Sequence, residues 1–227
     1  MVATELRSAA LGEQLAEILR LRIVQGELAA GTHLVEDSLA AEYEVSRGPV
    51  RDALRILTNE GLVESHRRGL HVRPFTEHDI DELYELRSAA EQLACRLAVS
   101  RASGTDWARA EHHLSVMQQR ADEGDRHGYA RADLAFHTEF YVLSGNARLL
   151  SLWRQLQPTF STLLDVTNAQ DADLHPSAHD HVTLMELVKA RDAAGVEAAL
   201  TRHLEGSRRR MSQAMAARNG SAQEHTA

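Results

Sequence analysis

The stretch Glu36 to Val72, EDSLAAEYEVSRGPVRDALRILTNEGLVESHRRGLHV, decides the fold. Its pattern predicts two short helices, a turn between them and a small β-hairpin with arginines at its tip. Asp37 or Ser38 is placed to cap a first helix through Ser38-Leu39-Ala40-Ala41, and Tyr43-Glu44-Val45 makes the turn. Ser46 is a good N-cap for the second helix. Pro49 falls in its first turn, where a missing N–H costs little. Val50, Leu54, Leu57 and Leu62 recur as an apolar helical stripe, while Arg47, Arg51 and Arg55 share the other face. Gly61 ends the helix. Leu62-Val63-Glu64-Ser65 and His71-Val72-Arg73 read as strands around the tip Arg67-Arg68-Gly69. A charged, solvated helix face would carry arginines at the same spacing. It would not explain the ordered series of helix, turn, helix and basic wing, which suits a helix laid into the major groove of DNA.

The charge distribution agrees. The chain of 227 residues carries a net charge of −8, which argues against indiscriminate coating of nucleic acid. Between residues 45 and 73, six arginines face only Asp52, Glu60 and Glu64. A focused basic face on an acidic body fits specific docking, with phosphate contacts that weaken as salt rises.

Residues 11–74 resemble the winged helix-turn-helix of the GntR family of bacterial transcription regulators. The resemblance is carried by Ile23-Val24-Gln25-Gly26-Glu27-Leu28, Ala30-Gly31-Thr32-His33-Leu34, Leu39-Ala40, VSRGPVRDAL (45–54), Leu57, Glu60-Gly61-Leu62-Val63, Gly69 and Val72. It implies recognition-helix contacts from Ser46, Arg47 and Arg51, and wing contacts from Arg68 and Gly69. Asp37 stands where some relatives carry a DNA-reading arginine, so that contact is expected to be absent. Ala30 replaces a usual proline before Gly31.

A domain boundary is expected near Pro74-Phe75-Thr76. The predicted organisation is a winged helix-turn-helix over 8–75 (three helices plus the hairpin), an all-α antiparallel bundle over 76–215, and a disordered tail over 216–227. The protein is therefore expected to be mainly α. Six helical stretches with short connections follow the boundary. The first is read from Leu83, Leu86, Ala90, Leu93 and Leu97, and the fourth is expected to kink at Pro158. The single cysteine, Cys95, reads as a small buried hydrophobe. No apolar run approaches the ~18 residues of a membrane span, and no secretion signal is evident. A cytoplasmic protein without a membrane partner is expected.

Of thirteen histidines, ten follow residue 76. His112, His113, His127 and His225 lie in polar surroundings. Asp133 and His137 differ: at i and i+4 beside Leu134, Phe136 and Phe140, both leave one helix face as a chelating pair would. His181 and His203 stand on the last two helices, and antiparallel packing would bring them to similar depth. A lone helical histidine is more often a core or surface group than a ligand. One carboxylate and three imidazoles together would hold a divalent cation with positions open to water or a ligand.

Residues 78–212 resemble the FCD ligand-sensing domain of the FadR subfamily. The resemblance is carried by Leu83-Tyr84-Glu85-Leu86-Arg87 with Glu91, DLAFH (133–137), Ser144-Gly145-Asn146, His181 and His203. It implies a metal site at Asp133, His137, His181 and His203, with zinc the first expectation and nickel, manganese or another ion as alternatives. An organic-acid effector is expected at or near the metal, its carboxylate paired with Arg87. Arg87 is equally placed to pair with Glu91 at i+4. The expected function is a homodimeric transcription regulator, a repressor in most such cases, on a palindromic operator. The alternative from a different class is a metal-dependent enzyme that activates water at the Asp/His site.

Overall fold

The computed structural model describes residues 2–67 and 69–224. It divides into two compact units, 1–76 and 77–227. In chain order the first unit contains α1 (Val2–Val24), β1 (His33–Leu34), α2 (Glu36–Glu42), α3 (Arg47–Asn59), β2 (Val63–His66) and β3 (Gly69–Val72). The second contains α4 (Glu77–Arg101), a 3-10 turn (Gly104–Trp107), α5 (Ala108–Glu123), α6 (Arg126–Leu143), α7 (Ala147–Gln170), α8 (His175–Lys189) and α9 (Ala193–Glu224).

The first unit is a winged helix-turn-helix. The helical stripe read from the sequence forms its core: Val50, Ala53, Leu54 and Leu57 of α3 pack with Leu15, Ala16, Leu19 and Ile23 of α1 and with Leu34, Leu39, Leu62, Val63 and Val72. A buried pair ties α1 to the end of α3, with both Glu60 oxygens accepting at 2.7 Å from Arg20 Nε and Nη2. Gly61 adopts φ 72°, the left-handed conformation that lets the chain leave α3 for the wing.

The wing differs from a plain hairpin. Its three strands are antiparallel in the order β1-β3-β2. A two-residue strand is too short to carry an alternation signal; β1 exists because it pairs with β3, His33 opposite His71 and Leu34 opposite Leu70. The N-terminus of α2 also differs. Val35, not Asp37 or Ser38, occupies the N-cap, and Glu36 and Asp37 lie in the first turn. Acidic groups there complement the helix dipole without acting as caps.

The second unit is an all-α bundle. Asp125 caps α6 by accepting from Gly128 N at 2.9 Å, and Asn146 caps α7 by accepting from Arg148 N and Leu149 N at 3.2 Å. Helix α7 continues through Pro158. Residues 216–224, expected in a disordered tail, continue α9, whose Ala, Gln, Met and Arg residues favour propagation; residues 225–227 lie outside the described residues. The inward face of α4 is Ile80, Tyr84, Arg87, Glu91, Ala94, Cys95 and Ala98, whereas Leu86 is 42% exposed. The leucine stripe therefore does not mark the buried side of α4; two charged residues do.

Candidate functional site

Three helices deliver the site of the second unit. Helix α6 supplies Asp133 and His137, α8 supplies His181 and α9 supplies His203, all buried. One ligand atom from each lies within 4.8 Å of every other, and among the described residues this is the one such group. His137 Nε2 stands 3.1 Å from His181 Nε2. Asp133 places Oδ2 3.3 Å from His181 Nε2 and Oδ1 3.7 Å from His137 Nε2.

The outer hydrogen bonds fix what these nitrogens can do. His181 Nδ1 donates to the Ser177 carbonyl at 2.7 Å. His137 Nδ1 donates to Glu91 Oε1 in a short contact. Burial lowers the His137 pKa, partly offset by Glu91. Burial, then repulsion from His181, pushes His203 down to about 3. Burial favours protonation of Asp133, but His181 first, then His137 and Arg87, hold its carboxyl far below the usual range. The centre thus gathers two imidazole nitrogens 3.1 Å apart and a carboxylate whose Oδ1 has no hydrogen-bond partner. A buried Asp133 oxygen left without a partner is costly, and a cation placed among these donors would satisfy it. Nitrogens bound to one ion at about 2.0–2.1 Å would stand roughly 3 Å apart. A group of mixed carboxylate and imidazole donors, with imidazole N–H groups anchored from outside, fits a divalent first-row metal.

Arg87 lies beside this centre and is 1% exposed. Its Nε donates to Glu91 Oε2 at 3.0 Å, so the pairing with Glu91 is the one the structure contains. The guanidinium packs against the rings of Trp153 and Phe160, 5.4 and 4.9 Å from their centroids. Nη2 is buried without a hydrogen-bond partner. Burial works against the charge, but Glu91 first, then Tyr84 and Asp133, keep the guanidinium protonated. Glu91 itself is pulled down to about 2 against its burial, by His137 and then Arg87. The sequence pairs Glu91 only with Arg87, through the i+4 spacing; its bond to His137 crosses from α4 to α6 and has no local signal. Of the neighbouring histidines, His175 is on the surface, bonded to Asp173 and Asp122 at 2.6 and 3.1 Å.

In the first unit, α3 exposes Arg47 and Arg51 on one face. Ser46 occupies the N-cap of α3 with no side-chain cap bond. Arg47 Nε pairs with Asp37 Oδ1 at 2.5 Å, and Arg51 Nε donates to Glu36 Oε2 at 2.7 Å. These two carboxylate partners are the feature that sequence reading missed; the expectations at Asp37 were a helix cap and a lost arginine. Gly69 opens β3 at φ 119°, and a Cβ there would stand 2.5 Å from His33 Nε2. Its lack of a side chain thus has a structural reason, since the His33 ring, stacked on His71 at 4.7 Å, lies over it. Arg68 lies outside the described residues.

Residues 11–72 match the family model described as bacterial regulatory proteins, gntR family, and residues 82–206 match the FCD domain. The chain belongs to the GntR family. It joins a winged helix-turn-helix to a helical domain of the FCD type. This GntR protein is 32% identical over 195 residues to a probable D-xylose utilization operon transcriptional repressor of Paenarthrobacter nicotinovorans, covering 86% of this chain and 85% of the relative. It is 27% identical to the gluconate operon transcriptional repressor of Bacillus subtilis (strain 168), covering 83% of this chain and 80% of the relative. The fold matches E. coli McbR/YncC with a TM-score of 0.72 at 23% identity, covering 89% of this chain and 97% of that one. The relatives are transcription regulators, and the GntR protein is one rather than a metal-dependent enzyme.

Proposed function

We propose that this GntR protein is a homodimeric repressor whose hold on a palindromic operator is controlled by a small organic acid bound at a divalent metal in the helical unit. The observation that carries the proposal is the convergence of ligand atoms from Asp133, His137, His181 and His203 within 4.8 Å of one another, beside a buried guanidinium that retains an unsatisfied donor. Asp133, His137, His181 and His203 would hold the metal. When bound, the metal would supply a Lewis-acidic anchor for a carboxylate. Arg87 would orient that carboxylate through Nη2, Glu91 would keep Arg87 and His137 in place, and Trp153 and Phe160 would exclude water from the guanidinium. Zinc is the first candidate among ions that accept this donor set.

DNA reading is assigned to Ser46, Arg47 and Arg51 of α3, with Arg68 and Gly69 of the wing in support. One recognition helix reads a half-site, so a twofold dimer suits a twofold operator. The effector acts by binding the DNA-released state of the dimer more tightly than the DNA-competent state. No helix among the described residues is long and apolar enough to cross a membrane, in keeping with a cytoplasmic site of action.

The test is a thermal-shift screen of carboxylic acids with and without zinc, nickel or manganese, followed by titration of a labelled fragment of the protein's own promoter. An acid that stabilises only metal-loaded protein and changes DNA affinity supports the proposal. Stabilisation identical in chelated and metal-loaded protein would remove the metal from it.

A further inference from the structure

Glu36 and Asp37 are adjacent residues in the first turn of α2, yet they engage two different arginines one turn apart on α3. Each carboxylate takes the arginine by its Nε edge, at 2.5 Å for Asp37 with Arg47 and 2.7 Å for Glu36 with Arg51. Neither guanidinium has a further hydrogen bond or ion pair among the described residues. The side chains of Arg47 and Arg51 remain 62% and 63% exposed. Exposed ion pairs of this kind contribute little to folding. The stability of the unit therefore does not explain why both arginines are matched with acids.

We propose that Glu36 and Asp37 are specificity-determining positioning residues that hold Arg47 and Arg51 by their Nε edges so that the Nη ends present fixed forks to guanine. This inference rests on the DNA-binding reading above. The physical reason is twofold. An arginine on a long flexible stem loses freedom when it docks, and a carboxylate that holds Nε beforehand removes part of that cost. The fork left outside matches the O6 and N7 acceptors of guanine in the major groove. The same carboxylates repel phosphate. Residues 36–73 carry six arginines against seven carboxylates, so the segment gains little from phosphate alone. Sites that do not satisfy the forks are disfavoured by the acids, which sharpens discrimination. Asp37 is then more than the absence of a reading arginine: it is the support of the arginine at position 47.

The experiment uses the full chain. Random-sequence duplexes are first selected on wild-type protein. The enriched motif and versions with each guanine replaced are then titrated against wild type, Glu36→Gln, Asp37→Asn and the double variant, over a salt series. Glu36→Asp and Asp37→Glu serve as conservative controls, and melting midpoints confirm folding. The expected result is about a tenfold loss of guanine discrimination in the double variant, with tighter binding to replaced sequences and substantial recovery in the conservative variants. Unchanged discrimination, with every duplex bound more tightly and a steeper salt dependence, would show that the acids only shield charge and would overturn the inference. Failure of wild type to enrich any sequence would instead overturn the DNA-binding reading beneath it.

Discussion

Glu91 and His137 meet across the packed helices α4 and α6, the carboxylate accepting the Nδ1 proton of the imidazole. The other oxygen of Glu91 accepts from Arg87 Nε at 3.0 Å. One buried carboxylate thus joins the proposed effector-binding cation to a proposed metal ligand. It fixes the tautomer that turns Nε2 of His137 toward Asp133 and His181. A change at Arg87 and a change at the proposed metal site are therefore felt by the same group.

Replacing Glu91 with Gln keeps its shape but removes the anion that anchors His137. Loss of such an outer partner commonly weakens metal binding about 10–100-fold. Competition against a fluorescent chelator will measure it, and affinity equal to wild type would show that Glu91 does not tune the site.

Removing a bound metal should loosen the helical unit, because three helices, α6, α8 and α9, converge on one buried carboxylate and three imidazoles. Chelation is expected to lower the melting midpoint of wild type, and added zinc to restore it. His137→Ala and His203→Ala should lose both the metal content and the response. Equal metal content in wild type and variants, by elemental analysis, would contradict the assignment.

The buried Arg20–Glu60 pair has side chains 4% and 9% exposed. Glu60→Ala strands a buried guanidinium and should destabilise the winged unit by about 3–5 kcal/mol. Arg47→Ala with Arg51→Ala touches only exposed side chains and should change stability by no more than about 0.5 kcal/mol per site while abolishing operator binding. Urea unfolding and gel shift of the two sets separate fold from recognition.

His113 offers a pH test away from the proposed metal site. Its pKa is lowered by burial, against the pull of Glu139 3.7 Å away. The unfolded chain therefore takes up a proton first as pH falls below the ordinary histidine value, and the folded state loses stability through that range. Wild type should lose more stability than His113→Gln between neutral and mildly acidic pH. Parallel urea midpoints for the two proteins would remove His113 from the account.

Much of this was legible in the chain. The α3 stripe, its arginine face and the capping position of Ser46 follow from helical period and turn chemistry, and the structure has them in place. Asp133 and His137 were readable as a pair because their spacing is local, and His181 and His203 because each stands on a clearly periodic helix. What escaped has a common cause. The pairings of Glu91 with His137, Asp37 with Arg47 and Glu36 with Arg51 join different helices, and periodicity is silent about such partners. Helix α4 misled for the same reason: its inward face carries Arg87 and Glu91, which pair with one another, while Leu86 turns outward. Strand β1 needs β3 to exist and leaves no trace of its own.

The most direct measurement is the affinity for a labelled promoter fragment, by fluorescence anisotropy, in metal-loaded and chelated protein with each acid that scores in the thermal screen. The account predicts that one acid shifts DNA affinity at least about tenfold, an ordinary allosteric coupling, and that chelation or His137→Ala with His203→Ala abolishes the shift. The same shift in chelated protein and in the double variant would contradict it.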